Sequence, residues 1–427
     1  MTNYNTIGNQ IKGKILRFSE KISKGLKKTQ RKFVADMLYG ISGSKSCVLT
    51  EIGRSLKEDI ELKKTEERIA RNLKEFSDEK TIVQNHLNFV KSVVTEDTMI
   101  ILDPGDVSKP CSPKMESIGS IRDGSTGEFT DGYWTMGAVL LTPEKAQPIP
   151  VYENLYPCTE KGGQGFNIEV EKALQFFRDN KFSNEIVRVL DRGNDSGHIF
   201  KSLHDHGEKF IIRQNQNRKV VHNGEIMLVE DVASRVECTH EMEFRSKTGN
   251  VSRCKIGITT VTIVNFRKAK MKNFKVNLVV CKEWGQKPLV LYTNLDEDIE
   301  NIALKVVKGY LMRWRIEEFY AVKKQCLKFE NFRVRSLRAI KTLDLLVTVL
   351  LSFNAFCSDN IEDDILFLSL IVLSKRVPKL RKYLAETKFF LYAIIDGIAA
   401  ALAYLRRGIS SYFATDIPNR QISFFAP

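Results

Sequence analysis

The segment from Tyr310 to Lys324 places a glutamate between cations at helical spacing. Four of its polar side chains, Tyr310, Arg313, Glu317 and Lys324, lie at offsets of 3, 7 and 14 residues from the first. On a helix that turns about 100° per residue, these side chains fall within roughly 60° of one another and share one face. One interpretation is a metal bound by Glu317 beside phosphates bound by Arg313 and Lys324. The other is a surface ladder of salt bridges, since Arg313 and Glu317 form a favourable i,i+4 pair.

Two further acids each come directly after a short apolar run. Asp103 follows Met99–Leu102, and Asp191 follows Ile186–Leu190. Two acids at strand ends and a helical glutamate supply the hard oxygen ligands that two Mg²⁺ ions require. Such a pair of ions catalyses phosphoryl transfer by activating the attacking oxygen and stabilising the leaving one. The residues therefore predict a two-metal site at Asp103, Asp191 and Glu317.

Two neighbouring acids compete for the same assignments. Asp106 is an alternative first acid, but Asp103 is preferred because it directly ends the apolar run. Glu318 is a weaker alternative to Glu317, because it lies about 100° away from the shared helical face.

The segments around these acids alternate between strand and helix patterns. Three strands are predicted first, at Met99–Leu102, Tyr133–Leu141 and Pro148–Tyr156. A helix over Asn167–Asn180, a strand at Ile186–Leu190, a helical segment and a strand at Lys209–Arg213 follow. This order is that of the ribonuclease H fold, in which acids at the ends of neighbouring strands meet. The predicted class is α/β, a mixed sheet flanked by helices.

The rest of the chain completes a predicted division into five segments. Arg253–Val264 and Phe274–Lys282 are the clearest strands of a β-rich insertion, and the chain beyond about residue 340 is helical and apolar. The predicted segments are an N-terminal helical DNA-binding domain (1–90), the first part of the catalytic core (91–214), the β-rich insertion (215–293), the second part of the core with the glutamate helix (294–340), and a C-terminal helical region (341–427).

The N-terminal segment is strongly basic. Between Lys12 and Lys32 there are nine Lys or Arg residues against one acid, Glu20. Leu49–Leu73 has the pattern of two helices joined by a short turn, compatible with a helix-turn-helix that directs basic side chains toward DNA. These side chains are Lys63, Lys64, Arg68 and Arg71. An ordinary solvated helical face is the alternative.

Bulk composition narrows the class of protein. The 427 residues carry 66 Lys and Arg against 52 Asp and Glu, a net charge of +14 that favours a polyanionic partner such as nucleic acid. The cysteines form no CxxC pair, which predicts reduced thiols rather than a zinc site. No apolar segment follows Met1, and the C-terminal apolar runs contain acids. We therefore expect a cytoplasmic location and no membrane span.

The Tyr310–Lys324 segment resembles the DDE transposases of bacterial insertion sequences, family four. It has that family's Tyr-x2-Arg-x3-Glu-x6-Lys signature. Ile101-Leu-Asp-Pro-Gly-Asp-Val-Ser108 is similar to the family's first-acid segment, and Val189-Leu-Asp-Arg-Gly-Asn-Asp-Ser196 to its second. The β-rich insertion between the second acid and the glutamate also matches the family layout. The resemblance covers roughly residues 45 to 340.

The resemblance implies an enzyme that cleaves DNA at transposon ends and joins the freed 3′ hydroxyl to target DNA. Asp103, Asp191 and Glu317 would bind two Mg²⁺ ions, for which Mn²⁺ can substitute. Tyr310, Arg313 and Lys324 would hold the DNA backbone. Partners implied are terminal inverted repeats, target DNA and a second copy of the chain in a homodimer on paired ends. The alternative is a catalytically silent DNA-binding protein derived from a transposase.

One position departs from the family pattern. Family members that open their ends through a hairpin stack a flipped base on an aromatic residue of the insertion. Leu289 occupies the position of that aromatic residue here. Trp284 and Tyr292 lie nearby in the sequence and are the candidates to take over its stacking role.

Overall fold

A computed structural model of the protein describes residues 4–142, 145–157, 165–215, 217–245, 251–264, 273–283, 287–296, 299–361, 364–376 and 389–409. The strands are β1 Met99–Ser108, β2 Gly119–Arg122, β3 Phe129–Thr142, β4 Lys145–Tyr156, β5 Val187–Leu190, β6 Phe210–Arg213, β7 Lys219–His222, β8 Glu225–Leu228, β9 His240–Arg245, β10 Val251–Ile263, β11 Phe274–Lys282 and β12 Leu289–Thr293. The helices are α1 Tyr4–Ile22, α2 Lys28–Ser44, α3 Leu49–Leu56, α4 Leu62–Glu75, α5 Glu79–Lys91, α6 Phe166–Asp179, α7 Gly197–Asp205, α8 Val229–Arg235, α9 Ile299–Leu311, α10 Trp314–Ala321, α11 Leu337–Asp359, α12 Ile365–Leu373 and α13 Leu391–Ala403.

The central strands lie in the order β4, β3, β1, β5, β6. β1 pairs antiparallel with β3 and β3 with β4, whereas β1, β5 and β6 are parallel. Helix α6 connects β4 to β5, and α7 connects β5 to β6. The predicted order of three strands, helix, strand, helix, strand is observed, with the short β2 added and β1 extended to Ser108. The α/β class and its mixed sheet are confirmed.

The predicted β-rich insertion extends the central sheet. β12 pairs antiparallel with β6, and β11, β10, β7 and β8 follow it outward to give one sheet of twelve strands. All five residues of β12 are buried, and the strand pairs with β6 on one side and β11 on the other. The insertion thereby shares a continuous hydrogen-bonded ladder with the strands that carry the candidate acids.

The N-terminal helices pack on the C-terminal helices. α1 buries Ile7, Ile11, Ile15 and Ile22 along one face, because apolar residues recur at helical spacing. That face contacts α2 and α13, and α2 also contacts α11. α11 is the one described helix with the length and apolar composition to cross a membrane, and 89% of its most apolar window is buried inside the protein.

The Tyr310–Lys324 segment is not the single regular helix that its pattern predicted. α9 ends at Leu311, α10 begins at Trp314, and residues 322–326 form a π-helical turn. A π turn inserts an extra residue into a helix and rotates the side chains after it. The prediction of one continuous stripe was therefore wrong, because tertiary contacts described below hold the two ends of the segment in different directions.

Candidate functional site

The register of β1 and β5 places Asp103 beside Asp191. The two parallel strands pair up to Leu102 opposite Leu190, and each acid is the next residue. Neighbouring strands lie roughly 4.8 Å apart, and residues in register project from the same face. β1 continues through Asp103 to Ser108, paired with β3, so Asp103 ends the apolar run but not the strand. The two acids are neighbours across the sheet.

Arg313 and Tyr310 connect this pair of acids to Glu317. Arg313 donates from Nη1 to Asp103 Oδ2 (2.7 Å) and from Nη2 to Glu317 Oε1 (2.6 Å). The Tyr310 hydroxyl donates to Asp191 Oδ1 (2.8 Å). The break between α9 and α10 lies at Arg313, between the residues that make these contacts. Five side chains of the predicted site therefore converge, although the helix that carries three of them is interrupted.

The local electrostatics differ between the two aspartates. Burial raises the pKa of Asp103 to about 7, and nearby Asp191 and Glu317 add to the rise against the opposing charge of Arg313. Burial also acts on Asp191, but a backbone N–H of Arg192, the Arg313 charge and the Tyr310 hydroxyl outweigh it and lower its pKa. Burial and the adjacent Asp191 raise the pKa of Tyr310 to about 12. The site thus concentrates more negative charge than Arg313 offsets.

Tyr320 supports Asp103 from α10 and was not predicted. Its hydroxyl donates to the backbone carbonyl of Asp103 (2.7 Å). A Cβ at Gly105 would lie 2.9 Å from the Tyr320 ring, and a Cβ at Gly137, opposite Asp103, would overlap its hydroxyl. The two glycines allow α10 to approach the sheet closely. Nothing in the sequence pattern distinguishes Tyr320 from an ordinary core residue.

Lys324 lies in a separate ion cluster. It bonds to Asp106 Oδ2 (2.6 Å) and Glu330 Oε1 (3.1 Å), and Glu330 also accepts from the backbone N–H of Ser108 (2.8 Å). Burial alone would lower the pKa of Lys324, but these acids raise it. Asp106, the alternative first acid, is thus paired with Lys324 rather than with Arg313. The predicted common face of Lys324 with Glu317 is not observed.

The adjacent Lys323 points into the protein interior. It bonds to Glu153 Oε1 (2.6 Å) on β4 and to Asp344 on α11. Asp344, Thr348 and Ser352 follow one another at intervals of four on α11. Thr348 donates to Glu153 (3.0 Å), and Ser352 donates to the Pro150 carbonyl (2.7 Å). We call this row the buried α11 stripe.

The α3–α4 helix pair forms as predicted, and its basic residues divide into two groups. Lys63, Lys64 and Arg71 are exposed on α4. Arg68 instead bonds to Glu58 (2.7 Å) and Asp36 (3.2 Å). The expectation that Arg68 faces DNA was therefore wrong, because its charge is taken up by acids of the helical layer.

The insertion residues considered for base stacking are inaccessible where the structure describes them. Leu289 and Tyr292 are both buried within β12, at 3% and 0% exposure. Tyr292 packs edge to face on Phe200, with 5.4 Å between ring centroids. It cannot stack on a flipped base, contrary to the replacement considered from the sequence. Trp284 lies outside the described residues.

The acids have the chemistry of a metal site, but Arg313 stands among them. Carboxylate oxygens are the ligands that Mg²⁺ prefers, and three converge here. Arg313 occupies one oxygen of Asp103 and one of Glu317. Among the described residues, no group of three or more His, Cys, Asp or Glu side chains is close enough to hold a metal ion. A Mg²⁺ ion at these acids would therefore require Arg313 to release both oxygens and the three carboxylates to move closer together.

Comparisons with known proteins give distant structural likenesses. No protein-family model matches the sequence, and no curated protein matches it. A solved structure, the cryo-EM structure of a piggyBac transposase synaptic complex with hairpin DNA, is similar at a TM-score of 0.44 and 9% identity, covering 96% of this chain and 84% of that chain. At this distance the likeness carries no assignment of function.

Proposed function

We propose that the protein is a DDE transposase that cleaves DNA at transposon ends and transfers the freed strand to target DNA. The observation that carries the proposal is the register of Leu102 with Leu190, which brings Asp103 and Asp191 side by side. Glu317, 126 residues beyond Asp191 in the chain, reaches the same place through Arg313. These are the three acids singled out by the transposase-like motifs.

The strand order supports a ribonuclease H-like core within this proposal. Three antiparallel strands followed by two parallel ones, in the order β4, β3, β1, β5, β6, is the arrangement expected for that fold. In open α/β sheets, ligands bind beyond the carboxyl ends of the parallel strands. Asp191 directly follows β5, and Asp103 follows the last residue of β1 that pairs with β5.

In the proposed reaction the chain's own side chains hold the acids and the substrate backbone. Bound Mg²⁺ at Asp103, Asp191 and Glu317 would supply the activation of water and of the leaving oxygen. Tyr310 orients Asp191, and Tyr320 fixes the backbone of Asp103. Arg313 and Lys324 would pair with phosphates of the substrate once the carboxylates that they now contact are released from them.

A cleavage assay tests the assignment of the acids. The substrate is DNA from the borders of the gene, incubated with protein and Mg²⁺. We expect Asp191→Asn and Glu317→Gln each to reduce cleavage by at least about a thousandfold, because a lost metal ligand removes several kcal/mol of transition-state stabilisation. Glu318→Gln is the matched control and should cleave like the wild type. Cleavage by either acid variant at the wild-type rate would remove the assignment.

One observation favours a second candidate, a DNA-binding protein that no longer cuts. Arg313 bonds to Asp103 and Glu317 in the arrangement described, which neutralises the oxygens that a metal needs. A gel shift run beside the cleavage assay separates the two functions. Binding without cleavage in Mg²⁺ or Mn²⁺ favours the silent protein, and cleavage favours the transposase.

Dimerisation on paired ends and a transposon origin are further parts of the proposal. Inverted repeats bordered by short direct duplications around the gene would support the origin. Analytical ultracentrifugation with and without end DNA measures the assembly, and we expect two chains for each pair of ends.

A further inference from the structure

A basic cleft lies beside the candidate active site. It has a volume of about 960 Å³ and lies between α3, the loop 108–115 and the segment 330–335. Its cationic lining residues are Arg54, Lys109, Lys114, Arg333 and Arg335, against the acids Glu51 and Glu330. No motif of the sequence pointed to this cleft, because its walls come from three distant segments of the chain.

Four of the five cations are available to a ligand. Arg54, Lys114, Arg333 and Arg335 are exposed. Across the residues that the structure covers, none of these four forms a salt bridge to an acid. Elsewhere, basic residues of the helical layer such as Lys32 and Arg68 are paired with acids. Unpaired cations gathered in one concave surface attract a polyanion.

The walls of the cleft are held in place before any ligand binds. Lys109 donates to the carbonyls of Glu330 and Phe332, each at 2.7 Å, and its charge lies 4.3 Å from the centre of the Phe332 ring. Glu116 N–H donates to the Arg335 carbonyl (2.9 Å). Pro110 and Pro113 restrict the loop further. Such preorganisation reduces the entropy lost on binding.

The cleft adjoins the ion cluster around Lys324, next to the candidate active site. Glu330 and Ser108 line it, and both belong to the cluster around Lys324. Ser108 follows Asp103 by five residues on β1, which corresponds to roughly 17 Å along the strand. A DNA strand that leaves the carboxylates past Lys324 therefore enters the cleft within a few nucleotides.

We propose that the cleft binds the sugar-phosphate backbone of one DNA strand adjoining the cleavage position. The proposal rests on the proposed function for its choice of DNA. The volume is in the upper range for sites that hold a drug-sized molecule, which suits a short stretch of single strand rather than a duplex. Arg333 and Arg335 are exposed and flank the less exposed Val334 in a segment without helix, so both side chains are accessible to one backbone.

Cys111 provides a direct test because it is exposed and lines the cleft. A duplex with a 3′ single-stranded tail carries an activated disulfide tethered to the tail. The Cys111 thiolate attacks this disulfide and releases the small leaving thiol, which joins protein to DNA. We expect cross-linking in the full-length protein with Asp191→Asn, and loss of the adduct in Cys111→Ser. If no Cys111 adduct forms although the wild type cleaves DNA, the proposal that the cleft binds DNA is wrong and the proposed function is unaffected.

Charge variants give a second measurement. Arg333→Gln with Arg335→Gln should reduce tail binding about tenfold and lower the slope of log affinity against log salt by about 1.4, since two single-strand phosphate contacts are lost. Lys219→Gln with Lys275→Gln, exposed on β7 and β11, is the control and should bind like the parent. An unchanged slope in the arginine variant contradicts the cleft. A Cys111 adduct in a wild type that does not cleave supports the cleft and removes the proposed enzyme.

Discussion

Two clusters of acids and cations near Tyr320 differ in solvent exposure. In the first, Arg313 bonds to Asp103 and Glu317, and the Glu317 side chain is 58% exposed. In the second, Lys323 bonds to Glu153 and Asp344, and all three side chains are at most 4% exposed. Each contains two carboxylates and one cation.

The difference in burial separates a site that can exchange partners from one that cannot. Water can replace a bond that Arg313 gives up, so Arg313 is able to release carboxylate oxygens to a metal or bind a phosphate. Breaking a fully buried pair leaves an uncompensated charge in the interior. The Lys323 cluster therefore holds α10, β4 and α11 together, and the Arg313 cluster is the one suited to chemistry.

The largest expected effect comes from removing the buried cation. Lys323→Met leaves Glu153 and Asp344 unpaired, and we expect a loss of about 3–5 kcal/mol in the free energy of unfolding. Urea denaturation measures it. Lys324→Met, at the adjacent and partly exposed position, is the control and should cost less than about 1 kcal/mol. Equal midpoints for the two variants would show that burial does not distinguish the clusters.

The buried α11 stripe predicts a stability loss in mild acid. Ser352 lies 2.8 Å from the His86 ring, and burial lowers the pKa of His86 to about 4. Below about pH 6.5, His86 therefore binds a proton in the unfolded chain but stays neutral in the folded chain. Stability from neutral His86 is present above pH 6.5 and is lost as the pH falls toward 4, by about 3 kcal/mol in all.

Unfolding midpoints between pH 7 and pH 4 check this expectation. His86→Gln should show a smaller loss over that range, because glutamine does not titrate. His206→Gln, at an exposed position on the surface, should keep the full wild-type dependence. A pH dependence that survives unchanged in His86→Gln would assign the effect to other groups.

The smallest expected effect concerns the Arg313 cluster, in which only Glu317 is largely exposed. Arg313→Met frees oxygens of Asp103 and Glu317, so Mg²⁺ should raise the melting temperature of the variant more than that of the wild type. Mg²⁺ at a hundred times its dissociation constant adds about 2.7 kcal/mol to the free energy of unfolding. We expect the variant to gain more of this stabilisation than the wild type. Melting temperatures of both proteins, recorded across a Mg²⁺ titration in Ca²⁺-free buffer, measure this difference. An equal or smaller shift in the variant would mean that Arg313 does not compete with metal.

The local pattern of the sequence was sufficient for much of the fold. The apolar run Met99–Leu102 marked the start of β1, and Ile186–Leu190 marked β5, because strands covered on both faces are mostly apolar. Arg188, within β5, is the exception, and it is buried in an ion pair with Glu208. Helical spacing marked α6 and the α3–α4 pair. The acids after the two runs were visible for the same reason, since a charge directly after a buried strand departs from the pattern.

The sequence did not reveal where the segment after Tyr310 would bend. A prediction from regular spacing assumes an unbroken helix. Here Arg313 bonds to Asp103 and Lys323 to Glu153, both in segments more than a hundred residues away. The roles of Lys323 and Lys324 illustrate the difference. They are adjacent and identical in type, and only the fold decides that Lys323 is buried and Lys324 partly exposed.

The sequence by itself determined the secondary-structure periodicity, the basic charge and the residue types able to carry phosphoryl-transfer chemistry, because these depend on neighbours in the chain. Tertiary structure decided the pairing of each charge, the continuity of the twelve-stranded sheet and the basic cleft around Cys111. Electrostatic partners and concave surfaces arise between distant segments, and the energy of burying a charge depends on every element packed around it.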